Sequence, residues 1–387
     1  MRRNRLQPVL LIITATAAGA GGWSGHPALL PVALAFPTLW SQARTRLAAA
    51  LVAGGYFLAA SSGLPQGVMA FYSADLWPGL LLWLLASASF VAVHAVLWTK
   101  RSGVRPLRQL AAIALMSVPP FGITGWAHPV TAAGILFPEW GWWGLAATTI
   151  GLMGLATRMW PPIAITFASF WLWSATNWTD PKLPDGWQGV DLELGRSLGR
   201  DASIQRHLDL IAIVKNHASG GIRNVVLPES ALGFWTATTK RLWLRALRGT
   251  NIAVIAGAAT VDANGYDNVL VTLSADGGRI TYRERMPVPG SMWQPWRSLL
   301  GETGGARAHF FANPIVTIGP SRAASLICYE QLIVWPLLQS MLYDPDLIVA
   351  VGNGWWAKGT SIVAVQRASA VAWAKLFAKP LVLSFNT

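Results

Sequence analysis

The chain carries a single thiol, Cys328, at the end of the apolar run Ala324-Ser325-Leu326-Ile327 and directly before Tyr329 and Glu330. Such a run reads as a short buried strand, and the pattern from Gln331 to Leu342 reads as a helix. A cysteine at a strand-to-helix turn projects beside backbone N–H donors, where a nucleophile is useful. The plainer alternative is a buried structural thiol. A thiol of reference pKa about 8.5 is mostly protonated at neutral pH, so attack needs a base or a cation close by. Two carboxylates stand near strand ends: Glu330 beside the thiol, and Glu229 after the run Arg223 to Leu227, in Leu227-Pro228-Glu229-Ser230. A further strand-end loop is Val351-Gly352-Asn353-Gly354-Trp355-Trp356.

The elements that would position these groups alternate along residues 178–387. Helices are predicted over Ile204 to Ala218, Thr238 to Leu247 and Ser361 to Ala378. Strands are predicted over Ile252 to Ala258, Asn268 to Leu273, Arg279 to Tyr282, Ala323 to Ile327 and Leu347 to Val351. Such alternation implies an α/β sandwich with its chemistry at the strand ends.

Residues 1–177 read differently. Of the whole chain 53% is hydrophobic and only 12% charged, with mean hydropathy +0.41, which argues against a wholly soluble protein. Seven apolar stretches are predicted as membrane spans: Pro8 to Gly22, Pro27 to Trp40, Leu47 to Ser62, Trp77 to Trp98, Gln109 to Trp126, Thr131 to Ala156 and Trp160 to Ala175. Arg2/Arg3/Arg5, Arg44/Arg46, Lys100/Arg101/Arg105/Arg108 and Arg158 fall before the first span and after the second, fourth and sixth. The loops Gly63 to Leu76 and His128-Pro129 carry no Lys or Arg. This alternation predicts a cytoplasmic N-terminus and a C-terminal part on the far side, the periplasm of a Gram-negative cell. Topology thus accounts for the net charge of +13, and direct nucleic-acid binding is not expected. Many of the 22 tryptophans lie near span ends, as interface anchors do. One cysteine excludes an intramolecular disulfide, and neither a cofactor nor a metal site is expected.

Cys328-Tyr329-Glu330 at a strand end, preceded by Glu229 and followed by the Asn353 loop, resembles the nitrilase (carbon–nitrogen hydrolase) superfamily, whose catalytic triad is Glu, Lys and Cys. With a multispanning N-terminal part that contains Gly55-Tyr56-Phe57-Leu58-Ala59, the chain is similar to the apolipoprotein N-acyltransferase family. Gly189-Val190-Asp191 through Gly199-Arg200-Asp201, and Met286-Pro287-Val288-Pro289 through Trp293-Gln294-Pro295-Trp296, resemble the conjugal-transfer proteins of Ti-type plasmids, relatives of that family. The resemblance implies a multispanning α-helical inner-membrane domain over 1–177 and a periplasmic nitrilase-like α/β sandwich over 178–387. It implies Glu229 as the base for Cys328, with Glu330 beside them in the catalytic set. The thiolate would attack a phospholipid ester, and a lipoprotein's N-terminal amine would accept the acyl group from the thioester. Membrane phospholipid, lipoprotein and conjugation-machinery proteins are the partners implied.

Three departures qualify that expectation. Aligning Tyr282 and Val288-Pro289 with the acyltransferase segment puts Glu284 where the catalytic lysine stands and Met292 at a later glutamate. A carboxylate there would repel the oxyanion that the lysine stabilises, which leaves Arg283 and Arg285 as candidate cations. The loop at Gly352-Asn353-Gly354-Trp355-Trp356-Ala357 lacks the aspartate of its counterpart. The chain also stops at Ser384-Phe385-Asn386-Thr387, before the further strand and last membrane helix of the acyltransferases; it is either truncated or keeps its C-terminus in the periplasm. The preferred reading is a membrane component of plasmid conjugal transfer on an acyltransferase-like fold, with activity left open and a degraded site as one outcome. The alternative is an active N-acyltransferase or amidase that forms a thioacyl intermediate on Cys328.

Overall fold

The computed structural model describes residues 2–124, 126–195, 204–218 and 220–387, excluding the side chains of residues 2–5 and Ala218. The segment Gly199-Arg200-Asp201, Gly125 within the fifth predicted span, and the side chains of Arg2, Arg3 and Arg5 lie outside this description. The chain divides into two compact units. The first comprises Met1–Pro181, Leu332–Trp335 and Gly359–Ala378, and the second Lys182–Gln331, Pro336–Lys358 and Lys379–Thr387. The single cut predicted after residue 177 is therefore displaced, and the helix Ile362–Leu376 belongs to the first unit. That helix is buried on most of its surface, and its alanines permit close backbone approach. A Cβ on Gly134 would lie 1.7 Å from the Ala372 carbonyl oxygen, and the Glu139 N–H donates to the Lys375 carbonyl at 2.7 Å.

The N-terminal part of the first unit is helical. Its elements include Arg2–Gly22, Ala35–Ser41, Arg46–Ala60, Leu64–Tyr72, Leu76–Leu97, Arg105–Ser117, Gly141–Leu155 and Trp160–Thr176. Among the described residues, Leu76–Leu97 is long and apolar enough to cross a membrane. Arg46–Ala60 and Leu64–Tyr72, bent by 50°, pass that test as a second span if taken together. A helix of 15 residues reaches only about 22 Å at 1.5 Å per residue, short of a hydrocarbon core of about 30 Å. Two predicted stretches differ. Gly63 to Leu76, expected as a loop, contains the helix Leu64–Tyr72, whose Pro65 sits in the first turn, where no N–H is needed. Thr131 to Ala156 breaks before Gly141, which takes φ +52°.

In the second unit, nine strands among the described residues form two sheets. The first runs β1 (Trp187–Gly189), β2 (Asn224–Val226), β3 (Ala253–Asp262), β4 (Gly265–Ser274) and β5 (Gly277–Arg283). Its first three strands are parallel and the last two antiparallel. The second sheet runs β6 (Val316–Ile318), β7 (Ser321–Ile327), β8 (Leu347–Asn353) and β9 (Leu381–Asn386), with β7, β8 and β9 parallel. Parallel strands buried on both faces read as continuous apolar runs, and β8 is buried from end to end. Val226, Ile255 and Leu270 of the first sheet pack against Ile327, Val349 and Val382 of the second. The other face of the first sheet is covered by the helices Ile204–Ala218 and Ala237–Leu247, with Val214 and Trp243 in the shared core. This is the α/β sandwich expected from the alternation. The short strands β1 and β6 and the strand β9 were not foreseen.

Candidate active site

The apolar run of β7 ends in a turn that forces Cys328 to φ +46°. A left-handed conformation is unusual for a residue with a Cβ, and it persists where the surrounding structure dictates it. The thiol is buried, and a 3₁₀ turn over Cys328–Gln331 follows before the helix Val334–Met341. The strand end was legible in the sequence; the intervening 3₁₀ turn was not.

Glu229 follows β2, and Ser230 beside it is also left-handed, at φ +60°. Gly257 on β3 makes this placement possible, because a Cβ there would come within 2.4 Å of the Glu229 Cα. Glu229 is 5% exposed; the Cys328 thiol and the Asn353 backbone N–H lie close enough to its carboxyl to lower its pKa, while its Oε2 makes no hydrogen bond among the described residues. Its Oε1 accepts from Asn268 Nδ2 at 2.7 Å, and the same nitrogen donates to Glu284 Oε2 at 3.0 Å. Asn268, on β4, thus bridges two buried carboxyl groups. Its backbone carbonyl also accepts the Glu284 N–H at 2.9 Å.

Burial pushes Glu229 up to about 7; Asn268, Cys328 and Asn353 oppose that push, while Glu330 adds to it. Burial, then the charges of Glu229 and Glu330, holds Glu284 well above the ordinary carboxylate range. Two carboxyls around one amide do not both ionise at neutral pH, so Glu284 is the protonated partner. The sequence expectation of a repelling carboxylate at the lysine position is corrected here: Glu284 stands in the site, but as an acid.

Glu330 faces away from this pair. Its oxygens accept from the N–H of Ile327 at 2.7 Å, the N–H of Arg285 at 2.6 Å and the Tyr282 hydroxyl at 2.8 Å. Burial pushes its pKa up, while the Arg285 guanidinium, the Ile327 N–H and Tyr282 pull it back. Glu330 therefore ties the end of β7 to the segment after β5, a bracing contact for the turn at Cys328. Neither candidate cation replaces the lysine. Arg285 Nε donates to the Tyr282 hydroxyl at 3.0 Å and Nη1 to Gln339 at 3.1 Å, with Glu330 3.8 Å from Nε. Arg283 pairs with Asp267, which also holds Arg307 and His309.

Sequence reasoning missed Asn268, Gly257 and the Asn353 N–H. Only Asn268 left a signal, a poor strand former at the head of an apolar run. The assembled group can move a proton from the Cys328 thiol to Glu229 and present sulfur to an electrophilic carbon.

The carbon–nitrogen hydrolase family model matches residues 58–375. The probable conjugal transfer protein TraB of Sinorhizobium fredii is 76% identical over the full length of both chains. The conjugal transfer protein TraB of Agrobacterium fabrum is 60% identical, over 100% of this chain and 94% of its own. Among solved structures, a mutant of the Nesterenkonia AN1 amidase from the nitrilase superfamily is similar over 53% of this chain and 78% of its own, at 13% identity and TM-score 0.37. A carbon–nitrogen hydrolase from Helicobacter pylori is similar over 51% and 72%, at 13% identity and TM-score 0.36. With its family match running from the helical unit through the cysteine turn, and close relatives over its whole length, the chain belongs to the carbon–nitrogen hydrolase family.

Proposed function

We propose that this chain is a multispanning inner-membrane protein of plasmid conjugal transfer whose periplasmic α/β domain forms a thioacyl intermediate on Cys328. The observation that carries the chemical part is the Glu229 carboxyl against the Cys328 thiol at a left-handed strand end. A base near 7 is well matched to neutral pH. In the proposed first step, the thiol proton passes to Glu229 as sulfur bonds to the ester carbon of a phospholipid. The ester C–O bond then breaks, and the leaving alkoxide takes the proton from Glu229. In the second step, an amine on a lipoprotein or a conjugation-machinery protein attacks the thioester, and its proton returns to the departing sulfur through Glu229.

The membrane part of the reading rests on the alternating basic loops and on the lipid-like surface of Leu76–Leu97, where Trp77, Leu81, Leu84 and Leu85 are exposed. The relatives named TraB motivate the role in conjugation. Cys328→Ser at normal abundance in the membrane should abolish thioester formation and impair plasmid transfer.

A second reading, a catalytically degraded scaffold for transfer, draws on one observation: among the described residues, the candidate cations Arg283 and Arg285 are both engaged elsewhere. Undiminished transfer by Cys328→Ser, together with loss on deletion of residues 182–387, would favour the scaffold.

A further inference from the structure

Asn268 distributes one amide nitrogen over two buried carboxyl groups, and this fixes where the Glu284 proton resides. Oε2 of Glu284 accepts the Asn268 N–H at 3.0 Å, so it acts as the carbonyl oxygen of the acid and the proton belongs on Oε1. That Oε1 is fully buried and has no hydrogen-bond partner among the described residues. A buried O–H with no acceptor is unfavourable and calls for a reason. An enzyme supplies one when negative charge develops only during the reaction. An acid kept neutral by burial can donate to such charge, and the residues that could otherwise do so, Arg283 and Arg285, are turned to Asp267 and Tyr282.

Resting on the thioacyl chemistry proposed above, we infer that Glu284 is a catalytic residue: its carboxylic acid donates a hydrogen bond from Oε1 to the oxyanion formed when Cys328 attacks an ester. The acid replaces the lysine of the resembled triad with a neutral donor. No proton is transferred in this contact; the thiol proton goes to Glu229, and Glu284 keeps its own while the tetrahedral centre forms and collapses. Loss of that proton at alkaline pH converts the donor into a repelling charge.

The test uses the full chain in detergent, a p-nitrophenyl ester as acyl donor and iodoacetamide as a second probe. Alkylation displaces iodide and forms no oxyanion, so it reports on the thiol and its base without an oxyanion donor. The expected result is that Glu284→Ala slows Cys328 acylation by about 10²–10³-fold, far more than it changes alkylation. Glu284→Gln, which keeps a neutral donor, should stay within about tenfold of the parent and lose the parent's decline in acylation at alkaline pH. Parent-like acylation by Glu284→Ala overturns the assignment and leaves the thioacyl reading intact. Failure of the unaltered chain to acylate Cys328 at all overturns both. If Glu284→Ala loses alkylation as well, its fold is damaged and Glu284→Gln decides: an alkaline decline that persists in that variant overturns the assignment.

Discussion

Glu229 and Glu284 differ in what surrounds them, not in their own chemistry. The thiol and the Asn353 N–H oppose the effect of burial on Glu229 and leave it near 7; Glu284 has the shared amide and is held well above the ordinary carboxylate range by burial and by the neighbouring carboxyls. Alkylation of Cys328 should therefore rise as pH passes about 7 and Glu229 ionises. Glu229→Gln should slow it about 10²-fold or more, measured as iodoacetamide labelling by intact mass. Equal rates in the two proteins would reduce Cys328 to a structural thiol. Stability should respond in the opposite sense. Unfolded carboxyls ionise at about 4.5, whereas folded Glu229 holds its proton to about 7 and Glu284 holds its proton beyond the ordinary range. The folded state then binds more protons across that window, so stability is greatest below it and falls as pH rises through it. Thermal melting in detergent across this range should show the fall, and Glu284→Gln should flatten it. Sequence alone placed both glutamates near the thiol's chemistry but could not show the protonation of Glu284, which depends on burial and on Asn268 some way off in the chain.

The strands on which these residues sit were largely legible, because β3, β4, β7 and β8 are apolar runs bounded by turn residues. β1 and β6, three residues each, are too short to show a period. β9 was hidden because its last residues, Ser384 to Asn386, look like a polar tail. Its burial comes from pairing with β8 and from the Asn386 side chain, whose Nδ2 donates to Asn353 Oδ1 at 2.7 Å. Two substitutions test how elements hold the site. Gly257→Ala forces a Cβ against the Glu229 backbone; it should cut Cys328 alkylation at least as much as Glu229→Gln while the far-ultraviolet circular dichroism stays native. Glu330→Ala removes the acceptor of three backbone N–H groups and of Tyr282 and leaves Arg285 buried without its carboxylate. A loss of about 3–5 kcal/mol is expected, read from denaturant unfolding of the detergent-solubilised chain.

For the whole chain, the proposed topology makes the plainest prediction. A reporter fused at Gly103 should read cytoplasmic, and one fused after Asp262 periplasmic; a cytoplasmic signal from the second would undo the seven-span arrangement. The sequence was less informative about where one unit stops. The helix Ile362–Leu376 follows the Asn353 loop in the chain, yet its alanine-rich, enclosed surface belongs with the N-terminal unit, and linear order cannot reveal that. Order along the chain does bear on when the site can exist. Glu229 comes from the first sheet, Cys328 from the second, and the Asn353 N–H that lowers the pKa of Glu229 sits on β8, whose register with β9 pairs Asn353 with Asn386. A ribosome makes the thiol some fifty residues before it makes β9. Chains arrested before Leu381 should alkylate Cys328 no faster than the Glu229→Gln variant, so a growing polypeptide would carry its sulfur in an inert state and arm it only once β9 has docked.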